Sequence, residues 1–331
     1  MSNIIIDFFL HYPALKEILP DTVYICPFDN PIITDKKIAI NHCNRYNIEY
    51  IDRIPNKVNI CFLIFPLLNI DRRHEPKRHS KFIKCLEYYS NMINAEKIII
   101  FDNHDYSILP DLTLLQNIKY NMIFKRNYHK NIQYPKNVKP YHFIDCCGSF
   151  DPIKFILNNH SVNVKQNKIN KIWFCGSIYN HVDNRLNTFT NRIKTMQEIN
   201  KYNIVDVITK KPHNEYLNII GKYKYALSLM GCSSWGTRHY EILSQNTILF
   251  SQACHTFPEP LNHVFPFNNP DVQFSKYNFF NSAEDLYKKY LQLEQDPELY
   301  KSVLMNQINV VKYYYNTKYI QNMISQYVQG I

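Results

Sequence analysis

The stretch Ser228–Phe250, SLMGCSSWGTRHYEILSQNTILF, decides how this chain folds. An apolar run, Tyr225 to Met230, reads as a buried strand. A polar loop with a glycine at each end follows, Gly231 to Gly236, and the spacing predicts a helix from about Thr237, a residue suited to cap it. A second apolar run, Thr247–Phe250, closes the unit as another strand.

Working outward, the same alternation continues on both sides. Lys171–Cys175 (KIWFC) reads as a strand, Arg185–Ile199 as a helix, Ile204–Ile208 as a strand and His213–Ile220 as a helix. Repeated strand–helix units without a hairpin signature favour a doubly wound parallel sheet. The remainder, Ala283 to Tyr327, has a helical pattern that Asp296-Pro297 breaks in two. Towards the N-terminus, MSNIIIDFFLHYP lacks a basic leader and reads as a first strand; Val23–Cys26, Val58–Phe65 and Ile98–Phe101 read as further strands. Between the last two, Ser80 to Asn94 carries Phe82, Ile83, Leu86 and Met92 at helical spacing behind a cap at Ser80. Strand, helix and strand in that order imply a parallel pair with a right-handed crossover.

The polar segment Val162–Asn170 marks a join. The expected organisation is an α/β chain of two Rossmann-like domains, residues 1–160 and 161–331. With 331 residues, 45% of them hydrophobic, both domains have material for a core.

Chemistry concentrates at two loops. Four of the six glycines lie between Gly176 and Gly236, in a chain whose Ile, Asn, Lys and Tyr bias supplies few. Gly176 and Ser177 follow a strand directly, at the edge where open parallel sheets bind ligands, and a glycine there admits a phosphate close to backbone amides. A tight turn is the plain alternative. In the second loop, Gly236 and Thr237 precede Arg238, whose guanidinium suits phosphate, and Glu241 shares its helical face three residues on. Alone, that pair reads as a helical ion pair; in this loop it reads as a nucleotide site, with the carboxylate taking sugar hydroxyls.

Lys224–Phe250, KYALSLMGCSSWGTRHYEILSQNTILF, resembles the donor-site segment of GT-B glycosyltransferases, most closely the exostosin-like and CgeB-like groups. The tail from Asp296 to Ile324 is similar to the closing helices of those proteins. The resemblance covers the C-terminal half. It implies two Rossmann-like domains facing each other across a cleft, an acceptor-side first domain, a donor domain closed by C-terminal helices, and transfer of a hexose or pentose from a nucleoside-diphosphate sugar to a glycan or protein hydroxyl. By the same resemblance Arg238 binds the diphosphate, Glu241 the ribose or donor sugar, Gly176 and Ser177 form the first loop, and Arg185 is a further phosphate ligand. Trp235 departs from the small residues usual in that loop, and the N-terminal half matches no such pattern. Helix-start amides and Arg238 are expected to stabilise the leaving group without a cofactor or metal.

The N-terminal half offers a base. The strand KIIIF runs into Asp102-Asn103-His104-Asp105, and an inverting transferase needs a group to take the acceptor's proton. Asp102 or Asp105 suits that role, His104 is an alternative with a more neutral pKa, and an Asx-turn is the plain reading. The two carboxylates are spaced unlike a D-x-D metal motif, so no metal is expected. Lys125 and Arg126 are candidates for an acceptor or phosphate contact. The basic run Arg72–His79 reads as a solvated loop or a peripheral membrane contact.

The formal net charge of +10 favours anionic partners, but the charge is dispersed, so nucleotides are expected and nucleic acid is not. The alternatives are a basic nucleic-acid-binding protein or an inactive transferase fold serving as an interaction module. Nine cysteines without framework spacing imply reduced thiols, hence a cytoplasmic setting, and the AT-rich residue bias suits a virus or a microbe making its own glycans. No run reaches the roughly 18 apolar residues a membrane span needs.

Overall fold

A computed structural model describes residues 2–8, 13–27, 35–51, 53–65, 67, 76–102, 109–125, 128, 132–141, 168–176, 178, 181–183, 188–190, 192–208, 212–229, 237–252, 269, 271–314 and 317–330. By contacts the chain divides into two compact units, Met1–Asp151 with Thr317–Ile331, and Pro152–Asn316.

The first unit carries β1 (Ser2–Asp7), α1 (Pro13–Ile18), β2 (Thr22–Ile25), α2 (Lys36–Arg45), β3 (Val58–Ile64), α3 (Pro76–Met92), β4 (Ala95–Asp102), β5 (Met122–Lys125) and β6 (Val138–Pro140). Its six strands lie in the order β2-β1-β3-β4-β5-β6, every pair parallel. The near-continuous apolar sequence VNICFLI follows from this position, because a central parallel strand is covered on both faces. Helix α3 lays Phe82, Cys85 and Leu86 on a core of Ile4, Ile6, Leu63, Ile98 and Ile100. It begins a turn earlier than the sequence reading had it. Pro76 occupies the first helical position, where its missing N–H costs nothing, so Ser80 sits inside the helix and is not its cap.

The second unit carries β7 (Ile169–Phe174), β8 (His181–Asp183), β9 (Thr188–Thr190), α4 (Arg192–Asn200), β10 (Val205–Val207), α5 (His213–Ile220), β11 (Tyr223–Ser228), α6 (Thr237–Leu243), β12 (Ile248–Gln252), β13 (Phe279–Phe280), α7 (Ala283–Gln295) and α8 (Pro297–Tyr314). Five strands run parallel in the order β10-β7-β11-β12-β13. Numbered by appearance, both sheets share the sequence 2-1-3-4-5. The chain works outward to one edge, then returns past its first strand. Between β7 and β10, a small antiparallel hairpin of β8 and β9 replaces the first turns expected of a helix from Arg185. The β-branched Thr188 and Thr190 favour extended backbone there.

Helix α9 (Thr317–Gln329) belongs with the first unit, whereas the sequence reading placed the whole helical tail with the second. Its buried Ile320, Met323 and Ile324 form an apolar stripe, Gln321 donates to the Ile18 carbonyl, Lys97 Nζ donates to the Val328 carbonyl at 2.9 Å, and Tyr327 meets the Phe124 ring. Chain order did not reveal this return, because an amphipathic stripe does not name the surface it covers.

In the second unit, β13 is too short to satisfy the edge of β12. The side chain of Gln307, on α8, does so instead. Its Oε1 accepts from Leu249 N at 2.9 Å and from Asn278 Nδ2 at 3.0 Å, while Nε2 donates to the Thr247 carbonyl at 2.8 Å. Asn278 Nδ2 also donates to the Leu249 carbonyl at 3.1 Å. Substituting Gln307→Met strands a buried N–H and a buried C=O, each worth about 1–3 kcal/mol. Urea unfolding should register that loss, and a midpoint like that of the parent chain would contradict this account of the edge.

Candidate functional site

In open parallel sheets, ligands bind beyond the carboxyl ends of the strands where the strand order reverses. In the second unit that point lies between β7 and β11. Gly176 follows β7, and α6, with Arg238 and Glu241, is the element after β11. Gly176 and Arg238 therefore flank the reversal, and they meet: a Cβ built on Gly176 would lie 3.8 Å from Arg238 Nη2.

Arg238 is held on three sides. Its guanidinium carbon stands 5.0 Å from the centroid of the Tyr216 ring and 5.5 Å from that of Trp173, and Nε is 3.3 Å from Glu241 Oε2. The two rings themselves pack edge to face at 4.9 Å. Each cation–π contact contributes on the order of 0.5–2 kcal/mol, which fixes a long side chain in one orientation. Among the described residues, Arg238 Nη1 and the indole N–H of fully buried Trp173 meet no hydrogen-bond acceptor. Both donors are closed off from solvent, so the cluster holds the guanidinium by packing, and 29% of the Arg238 side chain stays exposed.

Glu241 is one-tenth exposed, and its Oε2 also accepts from Tyr216 Oη at 2.8 Å. The helical ion pair is thus present, but it is one side of a four-residue cluster and not a surface pair. Sequence reasoning missed Tyr216 and Trp173. Tyr216 lies on α5, and no local spacing links it to α6. Burial, more than the neighbouring carboxylate, pushes its phenol far above the ordinary 10.0, while Arg238 pulls it down. Another missed residue is His239, which faces the sheet. Its ring nitrogens lie 3.4 Å from Ser228 Oγ and 2.9 Å from Ser251 Oγ, on strand residues that pair in register. Those contacts tie α6 to both β11 and β12 and so fix the base from which Arg238 projects.

Thr237 opens α6, while Ser177, Arg185 and Gly236 lie outside the described residues, as do Asp105, His104 and Arg126. In the first unit Asp102 and Lys125 end adjacent strands. Both are fully buried, 2.8 Å apart, and Asp102 Oδ1 accepts from Leu67 N at 2.9 Å. The pair joins β4 to β5 and clamps the residues beyond β3. Both side chains are turned inward, with Lys125 facing Asp102 and not a solvent-borne phosphate.

No family pattern and no curated protein sequence matches the chain. Solved structures do. An alpha-glucosyltransferase in complex with UDP and a 13-mer DNA containing a HMU base aligns over 99% of both chains, with 11% identity and a TM-score of 0.52. A point mutant of T4 phage BGT in complex with UDP-glucose aligns over 99% of both, with 10% identity and a TM-score of 0.50. The fold is that of the GT-B glycosyltransferases. A further structure, T4 phage BGT in complex with UDP and Mn2+, aligns over 99% of both chains at 10% identity and a TM-score of 0.49. That structure was solved with a metal ion as well as the nucleotide, and the expectation that no cofactor is involved is withdrawn. Among the described residues no three His, Cys, Asp or Glu side chains gather into a metal-binding group, so no residue here is assigned to a metal. Nor is any described helix long and apolar enough to cross a membrane.

Two measurements follow from these contacts. A phenol raised in the folded state contributes stability that is whole below pH 10.0 and lost as pH climbs towards the folded value. Above about pH 10 the melting temperature of the parent should fall more steeply than that of Tyr216→Phe; identical alkaline limbs would exclude Tyr216 as a contributor. For the buried ion pair, Lys125→Met should cost about 3–5 kcal/mol by leaving Asp102 uncompensated, and adding Asp102→Asn should recover much of it. Additive losses in that double-mutant cycle would contradict the pairing.

Proposed function

We propose that this protein is a glycosyltransferase moving a sugar from a nucleoside diphosphate to a hydroxyl acceptor. The observation that carries the reading is Arg238 at the strand-order reversal, its guanidinium set against the rings of Tyr216 and Trp173, beside Gly176, with 29% of its side chain left exposed. A diphosphate supplies the matching oxygens. As the glycosidic bond breaks, negative charge grows on the leaving phosphate, and a fixed guanidinium stabilises that charge without first reorganising. Gly176 leaves room for the phosphate to approach. Ser177, Gly236, Thr237 and Arg185 complete the proposed donor site. Glu241 holds the guanidinium at its Nε edge and is proposed to take ribose or sugar hydroxyls.

Kinship with the exostosin-like and CgeB-like groups remains part of this proposal and rests on the Lys224–Phe250 segment. The relatives solved with UDP and UDP-glucose make uridine diphosphate sugars the first donors to test. On the acceptor side, the proton passes to a base within Asp102-Asn103-His104-Asp105. The contacts of Asp102 with Lys125 and the Leu67 amide favour His104 or Asp105 for that step. Two acceptor classes are in view: a glycan or protein hydroxyl, and a hydroxyl carried on DNA. One observation favours the second, against the expectation from the dispersed charge that nucleic acid is no partner: the DNA bound by one structural relative. A cytoplasmic, viral setting accords with the composition and belongs to the same proposal.

Calorimetry with UDP-glucose, followed by label transfer to hydroxymethylated DNA and to oligosaccharides, tests both parts. Arg238→Ala should slow donor turnover by about two to three orders of magnitude, the effect of losing about 2.7–4 kcal/mol of transition-state stabilisation. Glu241→Ala should act chiefly on donor affinity. Turnover near the parent rate in the arginine variant would remove Arg238 from the mechanism.

A further inference from the structure

Two free thiols of the first unit touch. Cys26 follows β2 directly, Cys43 lies on α2, and their Sγ atoms stand 3.6 Å apart. Both residues are fully buried. Cys61 and Cys85, in the same unit, differ: burial alone acts on them, and it pushes each thiol up. A disulfide holds its sulfurs about 2.0 Å apart. Cys26 and Cys43 are already in van der Waals contact, so closing the gap is a matter of two short side chains turning.

Burial would keep an oxidant out if α2 were firmly seated, but it is not. Of its ten residues only Ala39 and Cys43 are buried, Ile38 is half exposed, and the strand beneath it, β2, stands last in the order of its sheet. An element with so few buried side chains opens at low local cost. When α2 lifts, Cys43 travels with it into solvent and Cys26 stays at the end of β2. The electrostatics give the two sulfurs the same order. Contact with Cys26 lowers the Cys43 thiol below its ordinary value, against burial and the Asp7 charge, which raise it. The same contact, together with burial, raises Cys26.

We propose that Cys26 and Cys43 form a reversible disulfide that staples α2 to the sheet edge when the protein meets a peroxide. The Cys43 thiolate attacks one peroxide oxygen and the O–O bond breaks. The departing hydroxide takes the proton that Cys43 gave up and leaves as water, and Cys43 becomes a sulfenic acid. As α2 reseats, the Cys26 sulfur attacks the Cys43 sulfur. The S–S bond forms, the S–O bond breaks, and the hydroxyl leaves as a second water with the Cys26 proton. Two electrons pass from the two thiols to the peroxide. A dithiol returns them and frees the helix.

The test treats the full chain, first reduced and desalted, with hydrogen peroxide, and maps its peptides by mass spectrometry without reductant. Peptides bearing Cys26 and Cys43 should appear joined and lighter by two hydrogens, and dithiothreitol should separate them. Amide hydrogen exchange across α2 should slow about tenfold or more in the oxidised chain and recover on reduction. Dimedone, which traps sulfenic acids, should label Cys43 in Cys26→Ala and leave Cys26 unlabelled in Cys43→Ala. Absence of the joined peptide, pairing of either thiol with another cysteine instead, unchanged exchange in α2, or the reverse dimedone labelling would each overturn the proposal. The parent chain's own cross-link and exchange decide the matter should either variant fail to fold.

Discussion

Parallel strands cannot be joined by a tight turn. Each must be followed by a crossover that carries the chain back to the start of the next strand, and right-handed twist fixes which way that crossover passes. From this constraint the rest of the molecule follows. Every strand in the two large sheets ends on one edge of its sheet, and where the order reverses, successive crossovers leave on opposite faces. In the second unit the reversal separates β7 from β11. Gly176 and Arg238 lie far apart in the chain, yet meet because they follow the two strands flanking that gap.

The cluster around Arg238 is also a solution to a desolvation problem. A guanidinium 29% exposed needs partners that keep it charged and still. Two aromatic faces and one carboxylate do this without using every nitrogen. That carboxylate is in turn restrained by a phenol, and the helix beneath is tied to two strands through His239. Each contact is modest taken singly. Together they remove the conformational freedom that a flexible arginine would otherwise lose on meeting an anion.

The legible part of the fold was what hydrophobic period and turn chemistry encode locally. The strands at Val58, Ile98, Lys171 and Tyr225, the helix at His213–Ile220 and the start of α6 at Thr237 stand close to where the sequence puts them. The pairing of Arg238 with Glu241 was legible because they share a turn. What escaped notice depends on partners distant in sequence. Tyr216 and Trp173 become members of the cluster only through the β7–β11 pairing, and Gln307 reads as an ordinary polar helix residue until the shortness of β13 gives it an edge to complete. The β8–β9 hairpin escaped because its strands are three residues each, too short to develop a period.

Asp102 and Lys125 illustrate a different limit. At a strand's carboxyl end an aspartate reads as catalytic by position and a lysine as a phosphate contact. Yet the two are opposed in register on β4 and β5, and buried together. A carboxylate at that depth requires a compensating charge, and the neighbouring strand supplies it at the paired position. Chemistry that faces an acceptor must tolerate water and change protonation; a buried pair with short contacts resists both. The pair therefore holds the backbone beyond β3 through the Leu67 amide. A polar residue at a strand's carboxyl end can thus serve the packing of its own sheet, and burial reveals that role where sequence position does not.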